Sequence, residues 1–132
     1  MFAKILKAGN LAVENAAALV VNLFHMRTFA HLLHLQTTSY AQHMALDGLY
    51  NDLPGLADAW VEAYMGNYGR ITSYPNIKAE FDTADPLAFI DSCIRYLKEA
   101  RYGTPQDTEL QNALDEIATL LDSTAYKLKN LS

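Results

Sequence analysis

HLLHLQTTSYAQHMALDGLYNDLPGLADAWVEAYMG, residues 31–66, is the stretch on which the fold turns. It holds His31, His43, Asp47, Asp58 and Glu62, at successive spacings of 12, 4, 11 and 4. Residues four apart on a helix share a face, so His43 pairs with Asp47 and Asp58 with Glu62. At ~100° per residue the last four fall near about 0°, 40°, 60° and 100° on one helix running from about Thr38 to Gly66. Imidazole and carboxylate on one narrow stripe form the donor set of a divalent iron site, and zinc or manganese would accept it too. His34, one turn on from His31, is the alternative to His31 in that set. Each of these residues also has a plain reading, as a hydrogen-bonded core histidine or a solvated acidic face.

The stripe is symmetric. His43 and Glu62 share a midpoint with Asp47 and Asp58, between Asp52 and Leu53. A straight helix rises ~1.5 Å per residue, which sets Asp47 and Asp58 roughly 16 Å apart. One chain therefore cannot close the set around one ion. Two copies packed antiparallel about a two-fold axis near residues 52 and 53 can, and such a contact carries two identical sites. Pro54-Gly55 interrupts the stripe, and proline in a helix interior is expected to kink or break it.

Working outward, the periodicity predicts four long helices in one domain, residues 1–132. The first runs from about Asn10 to Leu35 and is apolar almost all round in AAALVVNLF, as a buried helix is. On the second, Leu46, Leu49, Leu53 and Leu56 recur at three and four. Asp85-Pro86 starts the third as N-cap and first helical residue, followed by Leu87, Ile90, Ile94 and Leu97, with Gly103 as its stop. Thr104-Pro105 is expected to cap the fourth in the same way. There Leu110, Leu114, Ile117, Leu121, Thr124, Leu128 and Leu131 form a bundle seam with one polar member. The third and fourth helices are joined by a short turn and must be antiparallel neighbours. The link from about Asn67 to Thr83 is long enough to travel the length of the bundle, pinned by Tyr68, Tyr74 and Ile77, with room for a short helix. One long crossover among short links is the ferritin-like version of the four-helix bundle.

Composition narrows the function classes. The chain of 132 residues is 51% hydrophobic and 19% charged, which suits a packed core and not disorder. Its net charge of −5 disfavours nonspecific nucleic-acid binding; the small basic clusters are Lys4 with Lys7 and Lys127 with Lys129. The single cysteine, Cys93, cannot form an intrachain disulfide and lies on an apolar helical face, which fits a reducing, cytoplasmic setting. No run of 18 apolar residues suggests a membrane span.

The order His31, His43, Asp47, Asp58, Glu62 resembles the ferroxidase motif of the Dps mini-ferritins, and LYNDLPGLADAWVEAYMG resembles that family's second helix. The resemblance covers residues 31–66 in motif and about 10–130 in architecture. It implies a ferritin-like bundle that binds iron at a dimer interface. His31 and His43 would come from one chain and Asp58 and Glu62 from the other, with Asp47 as a further ligand or a partner beside His43. The implied activity is oxidation of Fe(II) by peroxide or oxygen, with no catalytic group beyond the metal ligands. The implied assembly is a homo-oligomer, at least a two-fold dimer, extending in that family to a twelve-subunit shell that stores iron. The chain departs from the family in having Leu32 directly after His31, Pro54 in the second helix and no lysine-rich N-terminal arm for DNA. Its HLQT and SYAQH stretches are similar to those of short phage-encoded proteins. A non-catalytic helical interaction module, viral in origin, with a vestigial or zinc-binding site, is the competing reading.

Overall fold

The computed structural model describes the backbone of residues 2–77 and 80–132, and the side chains of residues 11–77 and 80–132. The Lys4–Lys7 cluster lies outside the described side chains. The order is α1 (Phe2–Gln36), α2 (Tyr40–Tyr68), α3 (Pro86–Ala100), a 3-10 turn (Arg101–Gly103) and α4 (Thr108–Asn130). Among the described residues there is no strand. The four helices pack around one core, as the periodicity predicted.

α2 is the shared wall. Its inward residues Leu46, Leu49, Leu53, Ala57 and Trp60 are buried against α1 on one side and α4 on the other. α3 packs on α4 and more lightly on α1. The ends of the helices are tied by polar contacts. Asn15 Nδ2 on α1 donates to the Gly103 carbonyl in the α3–α4 turn at 3.1 Å. A Cβ at Gly103 would lie 2.8 Å from that same amide nitrogen, so a larger residue there would push the Asn15 amide aside. Asn67 at the end of α2 donates to Glu109 at the start of α4, at 2.8 Å. α2 and α4 therefore run antiparallel. At the other end of the molecule, Asp85 and Pro86 at the start of α3 border the same cleft as Thr37 and Gln42 of the α1–α2 turn.

Local chemistry sets the boundaries. Ser39 caps α2, its hydroxyl accepting from Gln42 N at 3.2 Å. Thr37 accepts from Ser39 N and donates to Gln42 Oε1, closing the turn. α2 runs two residues past Gly66 and stops at Gly69, whose φ of 97° only glycine adopts without strain. Asp85 caps α3 as expected, accepting from Ala88 N at 2.8 Å.

The Thr104-Pro105 cap is corrected. α4 begins at Thr108 with Asp107 at the cap position. The Thr104 hydroxyl instead donates to the Arg101 carbonyl at 2.7 Å and accepts from Gln111, with Thr104 itself buried in the turn. Arg101 completes that turn with bonds to Gln111 and an ion pair to Asp115 at 2.7 Å.

The seam on α4 is buried from Leu110 to Thr124, and Thr124 meets its need by donating to the Leu120 carbonyl at 2.8 Å. Leu131 falls past the helix end and is exposed. In the link before α3, Ile71 is buried and Phe81 packs on the core, while Tyr74 is exposed and Tyr68 belongs to α2. No helix forms in the link among the described residues.

Two expectations about α1 and α2 also change. The Leu11–Gln36 part of α1 has a mean hydropathy of 1.3 and is long and apolar enough to cross a membrane by length and composition. Scattered polar residues such as Asn15 and Asn22 break any continuous run without lowering the average enough. A core helix needs the same composition, and Leu19, Leu23, Met26 and Ala30 of α1 are fully or almost fully buried here. Pro54 does not end α2, which is assigned unbroken through it. Proline has no N–H to give the carbonyl four residues back, here that of Tyr50.

Replacing Pro54 with alanine should restore that bond and raise stability by up to about 3 kcal/mol. The urea midpoint measures it; an unchanged or lowered midpoint would mean that the ring's packing outweighs the missing bond. A second expectation concerns alkali. Burial pushes the phenols of Tyr64 and Tyr96 above their ordinary value of 10.0. Their neutral forms thus contribute stability that is whole below pH 10.0 and fades as pH climbs through the raised folded-state values. Tyr96→Phe should flatten the alkaline fall of the unfolding free energy, and an unaltered slope would contradict this.

Candidate functional site

The α1–α2 turn brings three of the predicted nitrogen and oxygen donors to one end of the helix pair. His34 and His43 face one another across it. His34 Nδ1 lies 2.8 Å from the His43 carbonyl, and His43 Nδ1 lies 2.9 Å from the His34 carbonyl. The two rings stack at 3.6 Å with 20° between their planes. A carbonyl only accepts, so each Nδ1 must carry its proton and donate. With Nδ1 so engaged, Nε2 is the nitrogen left to each ring as an acceptor, the orientation that metal-binding histidines receive from a backbone partner.

His34 is 7% exposed and His43 is half-buried. The structure thus gives His34 a role other than that of substitute for His31: it is the reciprocal partner of His43. The spacing of nine residues about the Thr37-Thr38-Ser39 turn was the available signal, because residues at similar distances from an antiparallel turn meet.

Tyr50 joins the cluster from α2. His31, exposed on α1, stacks on the Tyr50 ring at 4.0 Å with 8° between planes. His34 meets the same ring edge-on at 5.0 Å. The Tyr50 hydroxyl donates to Asp47 Oδ1 at 3.0 Å. Burial and this carboxylate hold the Tyr50 phenol above its ordinary value. Within the chain Asp47 thus partners Tyr50, and its backbone carbonyl accepts from Asn51 at 2.9 Å. The sequence reading singled out no such bridging role for Tyr50.

Asp58 and Glu62 lie farther along α2, one turn apart and both exposed. Among the described residues neither takes part in an ion pair or a side-chain hydrogen bond. Nor do three His, Cys, Asp or Glu of the described residues gather into a group that could hold a metal ion. The five predicted residues are thus divided within one chain, with His31, His43 and Asp47 at one end and two carboxylates apart from them. Exposed Leu32, Leu35, Tyr40 and Met44 lie beside the histidine end.

The reciprocal histidine tie should behave as one unit. His34→Ala and His43→Ala should each destabilise the fold, and the double variant should lose less than the sum, with a coupling of about 0.5–3 kcal/mol. Urea denaturation of the four proteins measures it. Additive losses would show that the two rings act independently.

The chain is 27% identical over 106 residues to an uncharacterized 14.6 kDa protein from the mobD-ri intergenic region of Enterobacteria phage T4. That match covers 80% of this chain and 81% of the phage protein. No solved structure matches the chain. The model of DUF5856, a family of unknown function, matches residues 34–128, a span that holds His34, His43, Asp47, Asp58 and Glu62 and leaves His31 outside. The chain belongs to the DUF5856 family.

Proposed function

We propose that this protein is a ferritin-like bundle that takes up Fe(II) as substrate and oxidises it with peroxide or oxygen. Its site is shared between two copies of the chain, in the manner of the Dps mini-ferritins. The observation that carries the reading is the division of the donor set. His43 has its Nδ1 on the His34 carbonyl, which leaves Nε2 as its ligating nitrogen, and His31 is exposed, while Asp58 and Glu62 are exposed and unpaired among the described residues on the helix of His43. Two like charges one turn apart repel unless a cation sits between or opposite them. A two-fold axis near residues 52 and 53 would set His31 and His43 of one copy against Asp58 and Glu62 of the other, with Asp47 nearby.

The helix arrangement supports the same reading. α1 and α2 form a hairpin, α2 neighbours α4, and the link before α3 leads from the α4 end of α2 to the α1–α2 turn. Such a path would suit the long crossover of a ferritin-like fold. The protein would supply ligands, geometry and exclusion of side reactions, while the electron transfer belongs to the metal. Homodimers are the smallest working unit, and a twelve-subunit shell is the larger assembly the reading allows. Iron storage and detoxification in the cytoplasm would follow from it, with DNA binding disfavoured by the net charge of −5.

A second reading has an observation of its own. The Tyr50 hydroxyl already occupies Asp47 Oδ1 and its ring covers His31, which suits a bundle that keeps the scaffold for protein contacts and holds zinc or no metal.

Anaerobic Fe(II) titration followed by peroxide separates the two. The proposal expects saturable uptake and rapid ferric absorbance by a species that sediments as a dimer or larger. Asp58→Asn with Glu62→Gln should slow the oxidation by more than about tenfold while leaving the fold intact. Normal oxidation by that double variant, or a monomer that takes up no Fe(II), would overturn the assignment.

A further inference from the structure

Trp60, Tyr64 and Tyr68 follow one another on α2 at intervals of four, so their rings lie one above the next. Trp60 and Tyr64 stack at 5.6 Å with 24° between planes, and Tyr64 and Tyr68 at 5.3 Å with 26°. The series climbs from the centre of the core to the surface. Trp60 is 0% exposed, Tyr64 2% and Tyr68 52%. Aromatic packing alone accounts for the two buried rings, but two further features mark the ends of the series.

At the inner end, the Trp60 Nε1–H has no hydrogen-bond partner, an orphan donor of a kind that native cores seldom keep. At the outer end, the Tyr68 hydroxyl donates to Asp107 Oδ1 at 2.6 Å, a short bond to a carboxylate. The three rings thus differ in what they can do with a proton. An oxidised indole loses its proton only to a base, and Trp60 has none at its nitrogen. An oxidised phenol is stable only when it gives its proton away, and Tyr68 has a carboxylate in place to take it.

We propose that Trp60, Tyr64 and Tyr68 form a one-electron conduit that carries oxidising equivalents out of the core and leaves them at Tyr68, with Asp107 as the proton acceptor. The oxidant is of the strong outer-sphere one-electron class, such as the sulfate radical, which takes the electron through the intervening protein and is itself reduced to sulfate. It removes one electron from Trp60 and leaves an indole cation radical that keeps its N–H. One electron then passes from Tyr68 through Tyr64 to Trp60, which returns to neutral indole. The Oη–H bond of Tyr68 breaks and a new O–H bond forms at Asp107 Oδ1. The products are a neutral phenoxyl radical and a protonated carboxyl group. An external thiol or ascorbate supplies the hydrogen atom that resets Tyr68. The conduit needs no metal in the protein and does not rest on the iron reading.

The chain has one tryptophan, so the hole can be made at a known place. Laser ionisation at the red edge of the indole absorption, with a cobalt(III) ammine complex as the electron acceptor, generates the Trp60 radical in the full-length protein. Transient absorption should show the indolyl signal decaying as a phenoxyl signal rises. Tyr64→Phe keeps a ring in the stack but removes the phenol, and it should abolish or greatly slow the conversion. Tyr68→Phe should remove the long-lived phenoxyl product. Asp107→Asn leaves an acceptor for the hydroxyl but no base, and it should lower the phenoxyl yield. Circular dichroism confirms that each variant is folded. An indolyl radical that lives as long in the unaltered protein as in Tyr64→Phe would overturn the conduit. A phenoxyl yield unchanged by Asp107→Asn would overturn the role of Asp107.

Discussion

Burial of the inner face of α2 is the constraint on which the rest depends. One helix meets two neighbours, so its apolar stripe must be wide enough for both. Leu46, Leu49, Leu53, Ala57, Trp60, Val61 and Tyr64 provide it. Because the helical period fixes what lies opposite, the same stripe dictates that Asp58 and Glu62 face outward. The candidate site and the core are two sides of one periodicity. A change that rotated α2 to improve one would expose or bury the other.

The polar tie at the α1–α2 turn works with that burial. Ser39, Thr37 and Gln42 satisfy the turn's own backbone and side chains, and the two histidines then bind each helix end to the other. The α3–α4 turn is closed by different means, through Arg101 and Thr104. Both ends of the bundle are therefore held by side chains that reach backbone carbonyls, while the middle is held mainly by apolar packing, with the Asn22–Tyr96 hydrogen bond between α1 and α3.

Much of this was legible in the sequence, for identifiable reasons. Apolar stripes at three and four placed α2, α3 and α4, the nearly all-round apolar AAALVVNLF placed α1, and Asp85-Pro86 marked the start of α3. Capping at Thr104 was misread because the same Thr-Pro pair fits a helix start and a closed turn. Only the distant partners Arg101 and Gln111 decide between them. Pro54 was expected to disturb α2, yet tertiary packing on both sides of that helix outweighs a local preference. At the candidate site, spacing identified residues that share a face but not those that meet across a turn. The pairing of His34 with His43 and the position of Tyr50 between His31 and Asp47 are long-range facts that a one-helix wheel does not contain.

The mutual hold of His34 and His43 has a consequence for how this sequence can drift. Each imidazole serves the other's main chain, so replacing one strands the other, with a stacked ring that has lost its partner and a carbonyl that has lost its donor. Viable descendants must either keep both or cross to a different solution in two steps, the first of them unfavourable. The pair should therefore be inherited as a single character, with relatives of this chain dividing into those with both histidines and those with neither.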